Sequence, residues 1–385
     1  MTEQLCAPLS GVKVLELGTM ISAPYCSRLL ADLGAEVIKV ESPVGDHTRD
    51  VPPRFEGMST TFRLLNRNKR SVILDLKDSD DAETFARLTR EADVLIENLR
   101  PGGLERLGFS SEKLRAGNGE LVYLSISGFG QSGPWADRPA YDIIAQAMSG
   151  LMAVTGPAEG PPARVGISIG DVLPGVLGAF AVVAALLRRQ RTRRGARIDL
   201  AMVDALLAGL ESVGMRALHD SGPLVPTGTD HAISAPYGSF AAADGQFVLA
   251  VANDALFSKL AGVLGRPHWI DDPRFVSDEL RGAHREELRK EIEAALADWS
   301  VDEALRRLSS AGVPCAPILD PREALTGEYA RARGVTDLEA DGFTTLGMGF
   351  QLDDYRPPMN QAPRHGEHTA RPHFEEDEPK DASSL

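Results

Sequence analysis

Cysteine is scarce: Cys6, Cys26 and Cys315 are the only three in 385 residues, too few and too scattered for a disulfide framework or a thiolate metal site. They read as the reduced thiols of a cytoplasmic protein. Basic residues are also in deficit, with 41 Lys and Arg against 55 Asp and Glu and a net charge of −14. That balance argues against nucleic acid and anionic membranes as partners, because both want a basic surface. It does not exclude an anionic small molecule, which needs only a local basic pocket. Met1 to Ser10 has no basic segment followed by an apolar one, so no signal peptide is expected. His365, His368 and His373 lack helical i, i+4 spacing, and no metal site is expected there. The apolar run Val172 to Leu187 is short for a membrane span and contains Pro174, Gly175 and Gly178. It reads as a buried core helix.

What is present is an ordinary apolar fraction of 43% over a length sufficient for two domains. Gly11 to Gly18 is a compact apolar run between glycines, as in a buried parallel strand. A helical pattern from Pro24 to Leu33 and a strand from Glu36 to Val40 follow. Ser71 to Leu76, Val94 to Glu97 and Leu121 to Ile126 are further strands, with a helix over Asp80 to Glu91. Strands alternating with helices predict an α/β fold with a doubly wound, Rossmann-like parallel sheet. Between Pro223 and Ser239 the composition shifts toward Gly, Pro, Ser and Thr, which marks a boundary. A second module follows, with a strand at Phe247 to Val251 and helices at Asp254 to Leu264, Arg281 to Trp299 and Val301 to Ala311. From Thr336 the chain is Pro-rich and irregular, and the acidic, aromatic-free end from Glu375 to Leu385 is expected to be disordered. No internal repeat is visible.

The run Val165-Gly166-Ile167-Ser168-Ile169-Gly170-Asp171 leads directly into the apolar helix. Asp171 is expected near that helix's N-terminus, where free N–H groups and the dipole keep a carboxylate ionised and aim it outward. An ionised carboxylate can attack an activated acyl group without a base. The same Gly-Asp step also fits a plain N-cap aspartate. Strand, turn, helix, strand and the acidic Glu41 mimic a dinucleotide-binding unit. The turn Gly18 to Pro24, however, lacks the glycines a pyrophosphate needs, so NAD is not expected. Lys77, Asn98, Arg100 and Arg106 fall at or just beyond the carboxyl ends of strands, where open α/β sheets collect ligands, and suit a phosphate-bearing molecule. Each also fits a solvated surface residue. Gly128 to Pro134 is a glycine-rich turn leading to Arg138 and the Tyr141-Asp142 pair, and Arg188 to Arg197 reads as a solvated turn.

These stretches together resemble the family III CoA-transferases, the group that includes formyl-CoA transferase. The likeness runs from Leu9 to about Thr369 through GVKVLELG, LADLGAEVIKVESPVGDHTR, NRNKRSVILDLK and ENLRPGGLERLG. It continues through SISGFGQSGPWADRPAYDIIAQAMSGLMAVTG, IGDVLPG, RIDLAMVDALLAG, HAISAPYGSF, GVPCAPILDPREAL and HGEHT. The resemblance implies that Asp171 is the catalytic aspartate. It implies CoA contacts at Leu74, Asp75, Leu76, Lys77, Asn98, Leu99, Arg100 and Arg106. Tyr141 and Asp142 would line the substrate site, together with His231 and Tyr237 of the HAISAPYGSF stretch. No permanently bound cofactor is implied; coenzyme A and its acyl thioesters are substrates. The family architecture implies a large domain over 1–222, a smaller α+β domain with its linker over 223–330, and a return to the large domain over 331–385. Two such chains would interlock as a ring-like homodimer. Two departures stand out: the polyglycine lid of formyl-CoA transferase is reduced to Thr227-Gly228-Thr229, and Ser42 stands where a basic residue is usual.

The implied reaction moves CoA from an acyl-CoA to a free carboxylic acid through an aspartyl-CoA intermediate. Succinyl-CoA is the suggested donor and an itaconate-, citramalate- or mesaconate-like C4–C5 dicarboxylate the suggested acceptor. One alternative is an α-methylacyl-CoA racemase of the same fold, which needs an acid/base pair beside the thioester. In racemases a histidine stands in the slot of Tyr141, and a tyrosine with a pKa near ~10 is a poor base at neutral pH. His231 would be the substitute base in that case. A second alternative is a non-catalytic CoA-binding protein.

Overall fold

The computed structural model describes residues 7–158, 160–339 and 341–375. Cys6 and the acidic end beyond Glu375 lie outside the described residues. The chain forms two compact units. The first takes in residues up to Met152, Arg164–Gly222 and Ala330 onward; the second takes in Ala153–Ala163 and Pro223–Tyr329.

The first unit is built on a parallel six-stranded sheet. Its strands are β1 (Lys13–Leu17), β2 (Glu36–Glu41), β3 (Lys69–Ile73), β4 (Val94–Glu97), β5 (Val122–Ser127) and β6 (Ala196–Ala201). They lie in the order β3-β2-β1-β4-β5-β6, with every neighbouring pair parallel. This is the doubly wound order, and its direction reverses between β1 and β4. Side chains alternate across the sheet. Val14, Ile96, Leu124 and Ile126 face one core with helices α1 (Ser22–Asp32) and α4 (Ile169–Thr192). Leu15, Leu95 and Tyr123 face the other, with α2 (Ser79–Glu91). Between α2 and α4 the chain forms α3 (Asp142–Met148), and α5 (Met202–Ala208) follows β6.

Among the described residues α4 is the one helix long and apolar enough to cross a membrane, yet it packs against α1 and the sheet. Gly175 makes that packing possible: a Cβ there would come within 3.0 Å of the Ser22 carbonyl oxygen. The basic stretch expected as a turn from Arg188 to Arg197 is mostly regular structure. The helix continues to Thr192 and β6 starts at Ala196, which leaves only Arg193 to Gly195 as the turn. Arg and Gln are good helix formers, so charge alone does not end the helix.

The C-terminal segment has two short antiparallel strands, Thr336–Leu338 and Thr344–Leu346. Beyond them it runs irregularly along edge strand β3. There the His368 N–H donates to the Ser71 carbonyl at 2.8 Å, and the Ile73 N–H donates to Thr369 Oγ1 at 2.9 Å. These bonds occupy edge groups that would otherwise invite another strand.

The second unit holds an antiparallel sheet of β7 (Tyr237–Ala242), β8 (Gly245–Ala250) and β9 (Cys315–Pro317), in the order β9-β8-β7. Helices α6 (Asp254–Val263), α7 (Arg285–Leu296) and α8 (Val301–Ser310) share its core, centred on Phe247, Leu249, Phe257 and Trp269. The single helix expected over Arg281 to Trp299 is two, Asp278–Ala283 and α7, separated by His284.

Candidate active site

A cavity of about 260 Å³ opens over the carboxyl ends of β1, β4 and β5, at the point where the strand order reverses. Its floor includes Thr19 and Met20 of the turn after β1, and Asn98, Leu99 and Arg100 after β4. Tyr141 and Asp171 face the same space.

The turn after β1 is held from two sides. On one side the Asn98 amide donates to the Thr19 carbonyl at 2.8 Å and accepts from the Thr19 N–H at 3.0 Å. On the other, buried Lys39 donates to the Gly18 carbonyl at 2.6 Å, and Asp46 accepts from the Met20 N–H at 3.3 Å. Lys39 also pairs with Glu16 at 2.8 Å and Asp46 at 2.9 Å, and Lys69 pairs with Glu16 at 2.7 Å. Burial alone would push Glu16 up, but the two ammonium groups bring its pKa below the ordinary value. Lys69 is pushed down to about 8 by burial, with Lys39 adding to the effect. With the N–H groups of Thr19 and Met20 engaged by side chains, this turn does not offer them to a pyrophosphate, which is the physical counterpart of its missing glycines. Asn98 faces the cavity but spends its amide on bracing the turn.

Asp171 is the third residue of α4, and Ser168 is the N-cap. Its carboxyl is raised from 3.8 to about 7, first by burial and then by the neighbouring Asp142 carboxylate. This corrects the expectation that the helix terminus keeps it ionised. A helix N-terminus contributes only ~0.3–1 kcal/mol to an anion, which is small against enclosure beside a second acid. Asp142, expected to line the substrate site, is 9% exposed and is not among the residues lining this cavity. It accepts from the Gly170 N–H at 2.8 Å and from Gln146 Nε2 at 2.9 Å to both oxygens. Gln146 in turn accepts from the Val165 N–H at 2.9 Å. Together Asp142 and Gln146 clamp the start of α4 to α3. Gly170 is required by this approach, since a Cβ would lie 2.9 Å from the Asp142 carbonyl oxygen.

The structure thus brings Asp171, Tyr141, Asn98, Leu99 and Arg100 into one cavity, with Tyr141 70% exposed. Leu74, Asp75, Leu76, Lys77 and Arg106 do not line it. Leu74 is buried and Leu76 half-buried against the α2-side core. Asp75 and Lys77 are exposed, and their N–H groups are bonded to Asp81 and Asp75. Arg106 is exposed and reaches the Pro101 carbonyl at 3.4 Å. His231 and Tyr237 belong to the second unit, where their rings lie 5.0 Å apart. His231 Nδ1 accepts from the N–H groups of Ile233 and Ser234 at 3.3 and 3.1 Å. Sequence reasoning did not single out His47, Ser127 and Arg138, which also line the cavity. All three lie inside the quoted stretches, so the signal was present but carried no distinctive spacing. Of the glycine-rich turn, Gly128 faces the cavity, while the Gln131 N–H is bonded to Asp199 at 3.0 Å.

Two consequences are measurable. If Asp171 must be ionised to react, kcat/KM for acyl-CoA should fall about tenfold per pH unit below pH 7; a flat profile down to pH 5 would contradict the raised pKa. Arg106→Ala should raise the acyl-CoA KM about tenfold or more with a much smaller change in kcat. Its charge lies outside the cavity and would contribute uniform binding to phosphates, on the order of 1.5–3 kcal/mol. Steady-state kinetics decide; a kcat loss at constant KM would place Arg106 at the reacting centre.

A partly buried carboxyl group at the switch point of a doubly wound sheet, with an arginine in the same cavity, is the kind of site an α/β enzyme of acyl transfer would use. Residues 9–369 match CoA-transferase family III, and the chain belongs to that family. It is 37% identical to succinate–glutarate CoA-transferase of Agrobacterium fabrum, over 94% of both chains. It is 40% identical to acetyl-CoA:oxalate CoA-transferase of Acetobacter aceti, over 91% of this chain and 90% of that one. The crystal structure of a CAIB/BAIF family protein from Brucella suis superposes with a TM-score of 0.84 at 36% identity, covering 95% of this chain and 98% of that one.

Proposed function

We propose that this CoA-transferase works by a ping-pong mechanism on Asp171, with an acyl-CoA donor and a dicarboxylic acid acceptor. The observation that carries the reading is the placement of Asp171 in one cavity with Tyr141 and Arg100. The ionised Asp171 carboxylate attacks the donor thioester carbonyl, forming an aspartyl–acyl anhydride and releasing CoA thiolate. The thiolate attacks the aspartyl carbonyl, which expels the donor acid and leaves an aspartyl-CoA thioester. The acceptor carboxylate then displaces the thiolate to form a second anhydride. The thiolate finally attacks the acceptor carbonyl, giving acceptor-CoA and free Asp171. A pKa of about 7 makes Asp171 both a competent nucleophile at neutral pH and a reasonable leaving carboxylate.

Succinyl-CoA as donor and a C4–C5 dicarboxylate as acceptor fit best. The succinate–glutarate relative supports that pair, and the oxalate relative supports a dicarboxylate in general. Racemisation is disfavoured because Tyr141 holds the slot where the racemases carry a histidine; His47 lines the same cavity from the segment after β2 and does not take that slot. A homodimer is part of this reading: Ile143, Ile144, Phe180 and Leu187 expose apolar surface along α3 and α4. Surface of that kind favours a partner. The free thiols of Cys26 and Cys315 favour a cytoplasmic setting.

Incubation with acyl-CoA and trapping with hydroxylamine or borohydride should modify Asp171, located by peptide mass spectrometry. Label on another residue, or none during active turnover, would overturn the mechanism.

A further inference from the structure

Among the described residues, several buried side-chain polar atoms have no hydrogen-bond partner, and one of them belongs to a residue lining the Asp171 cavity: Ser127 Oγ. Ser127 ends β5 and is only 7% exposed. An isolated hydroxyl at such a place is costly to the fold, and a buried polar group without a partner calls for an explanation. A ligand group is one.

Position narrows the ligand. In the β4–β5 register Glu97 is opposite Ser125, so Ser127 lies level with Leu99, just past the end of β4. Alternation turns Ser127 toward the face of Tyr123, away from Leu124 and Ile126, which face α4. Leu99, Arg100 and Asp171 line the same cavity as Ser127. A CoA thioester with its carbonyl at Asp171 and its phosphates toward Arg100, which lines the same cavity, would run its thioester arm through this space. That arm carries two amides and a hydroxyl, each able to pair with a serine hydroxyl. We propose that Ser127 binds the thioester arm of the acyl-CoA by a hydrogen bond to one of these groups. The assignment rests on the acyl-CoA reading above.

The test is calorimetric binding of two ligands to Ser127→Ala and Ser127→Thr, independent of turnover. One ligand is CoA; the other is 3′-phosphoadenosine 5′-diphosphate, which has the nucleotide end but no arm. Ser127→Ala should bind CoA on the order of five- to tenfold more weakly, as expected for one lost hydrogen bond. It should bind the armless nucleotide as the wild type does, and its Tm should not drop, because an unpaired buried hydroxyl is being removed. Ser127→Thr should keep CoA affinity within about threefold of wild type, since it retains the hydroxyl. Unchanged CoA affinity in Ser127→Ala, an equal loss for both ligands, or a lowered Tm would each overturn the proposal. Failure of the wild type to bind CoA would instead overturn the acyl-CoA reading itself.

Discussion

Asp171→Ala is expected to lower kcat for CoA transfer by about 10⁴-fold or more while the protein stays folded and melts no lower than the wild type at neutral pH. Under the proposed mechanism, removing the carboxyl leaves only binding and orientation, and losses of that order follow when a nucleophile is deleted. The fold should survive because Asp171 is not the N-cap of α4 and Ser168 keeps that position. The clamp of Asp142 and Gln146 on Gly170 and Val165 does not use the Asp171 side chain. Steady-state turnover with succinyl-CoA and a dicarboxylate panel, together with circular dichroism melts, measures both parts. A folded variant with near-normal turnover would remove Asp171 from the mechanism.

Asp171→Asn should be as inactive but more stable than the wild type at pH 8, by ~2–4 kcal/mol. The cause is the carboxyl held at about 7 in the folded protein against 3.8 ordinarily. Below pH 4 the acid is protonated in both states and contributes nothing. As pH rises from about 4 to 7, only the unfolded chain releases the proton, so the folded wild type loses stability. Above 7 both states are ionised and the cost is constant. Asparagine never ionises and escapes it, so the gain should grow between pH 4 and 7 and then level off. Urea unfolding at pH 5, 6.5 and 8 reads this directly. A gain that does not change with pH, or a loss at pH 8, would return Asp171 to the ordinary carboxylate range. A gain that grows with pH as expected would make Asp171 a case of stability given up for reactivity at a working site.

Much of the scaffold was legible because it is carried by local patterns. The apolar runs of β1, β2 and β4 are buried on both faces, and helix α2 is capped by Asp78, which accepts from the N–H groups of Asp80 and Asp81. Boundaries were less legible where burial rather than composition decides them. Strand β3 covers Lys69–Ile73 instead of Ser71 to Leu76, because buried Lys69 begins the strand by pairing with Glu16. Strand β6 was hidden by its charged start at Ala196-Arg197, which reads as surface in isolation. The site was legible in part: Asp171, Tyr141 and Asn98 to Arg100 share one cavity, whereas Leu74 to Lys77 follow edge strand β3, two strands away from β1.

The sequence by itself determined the alternating α/β class and the family and singled out Asp171 as the candidate nucleophile, since these reside in contiguous motifs whose residue types and spacing are visible one segment at a time. Only the tertiary structure decided how that nucleophile is tuned and what stands around it. The raised pKa of Asp171 comes first from its burial and then from Asp142, 29 positions earlier in the chain, meeting it at the start of α4. The brace on the β1 turn joins Asn98, Lys39 and Asp46 from three different segments. The unpaired hydroxyl of Ser127 exists only where the end of β5 is enclosed by its neighbours. Burial and electrostatic coupling are properties of the assembled packing, and no local pattern carries them.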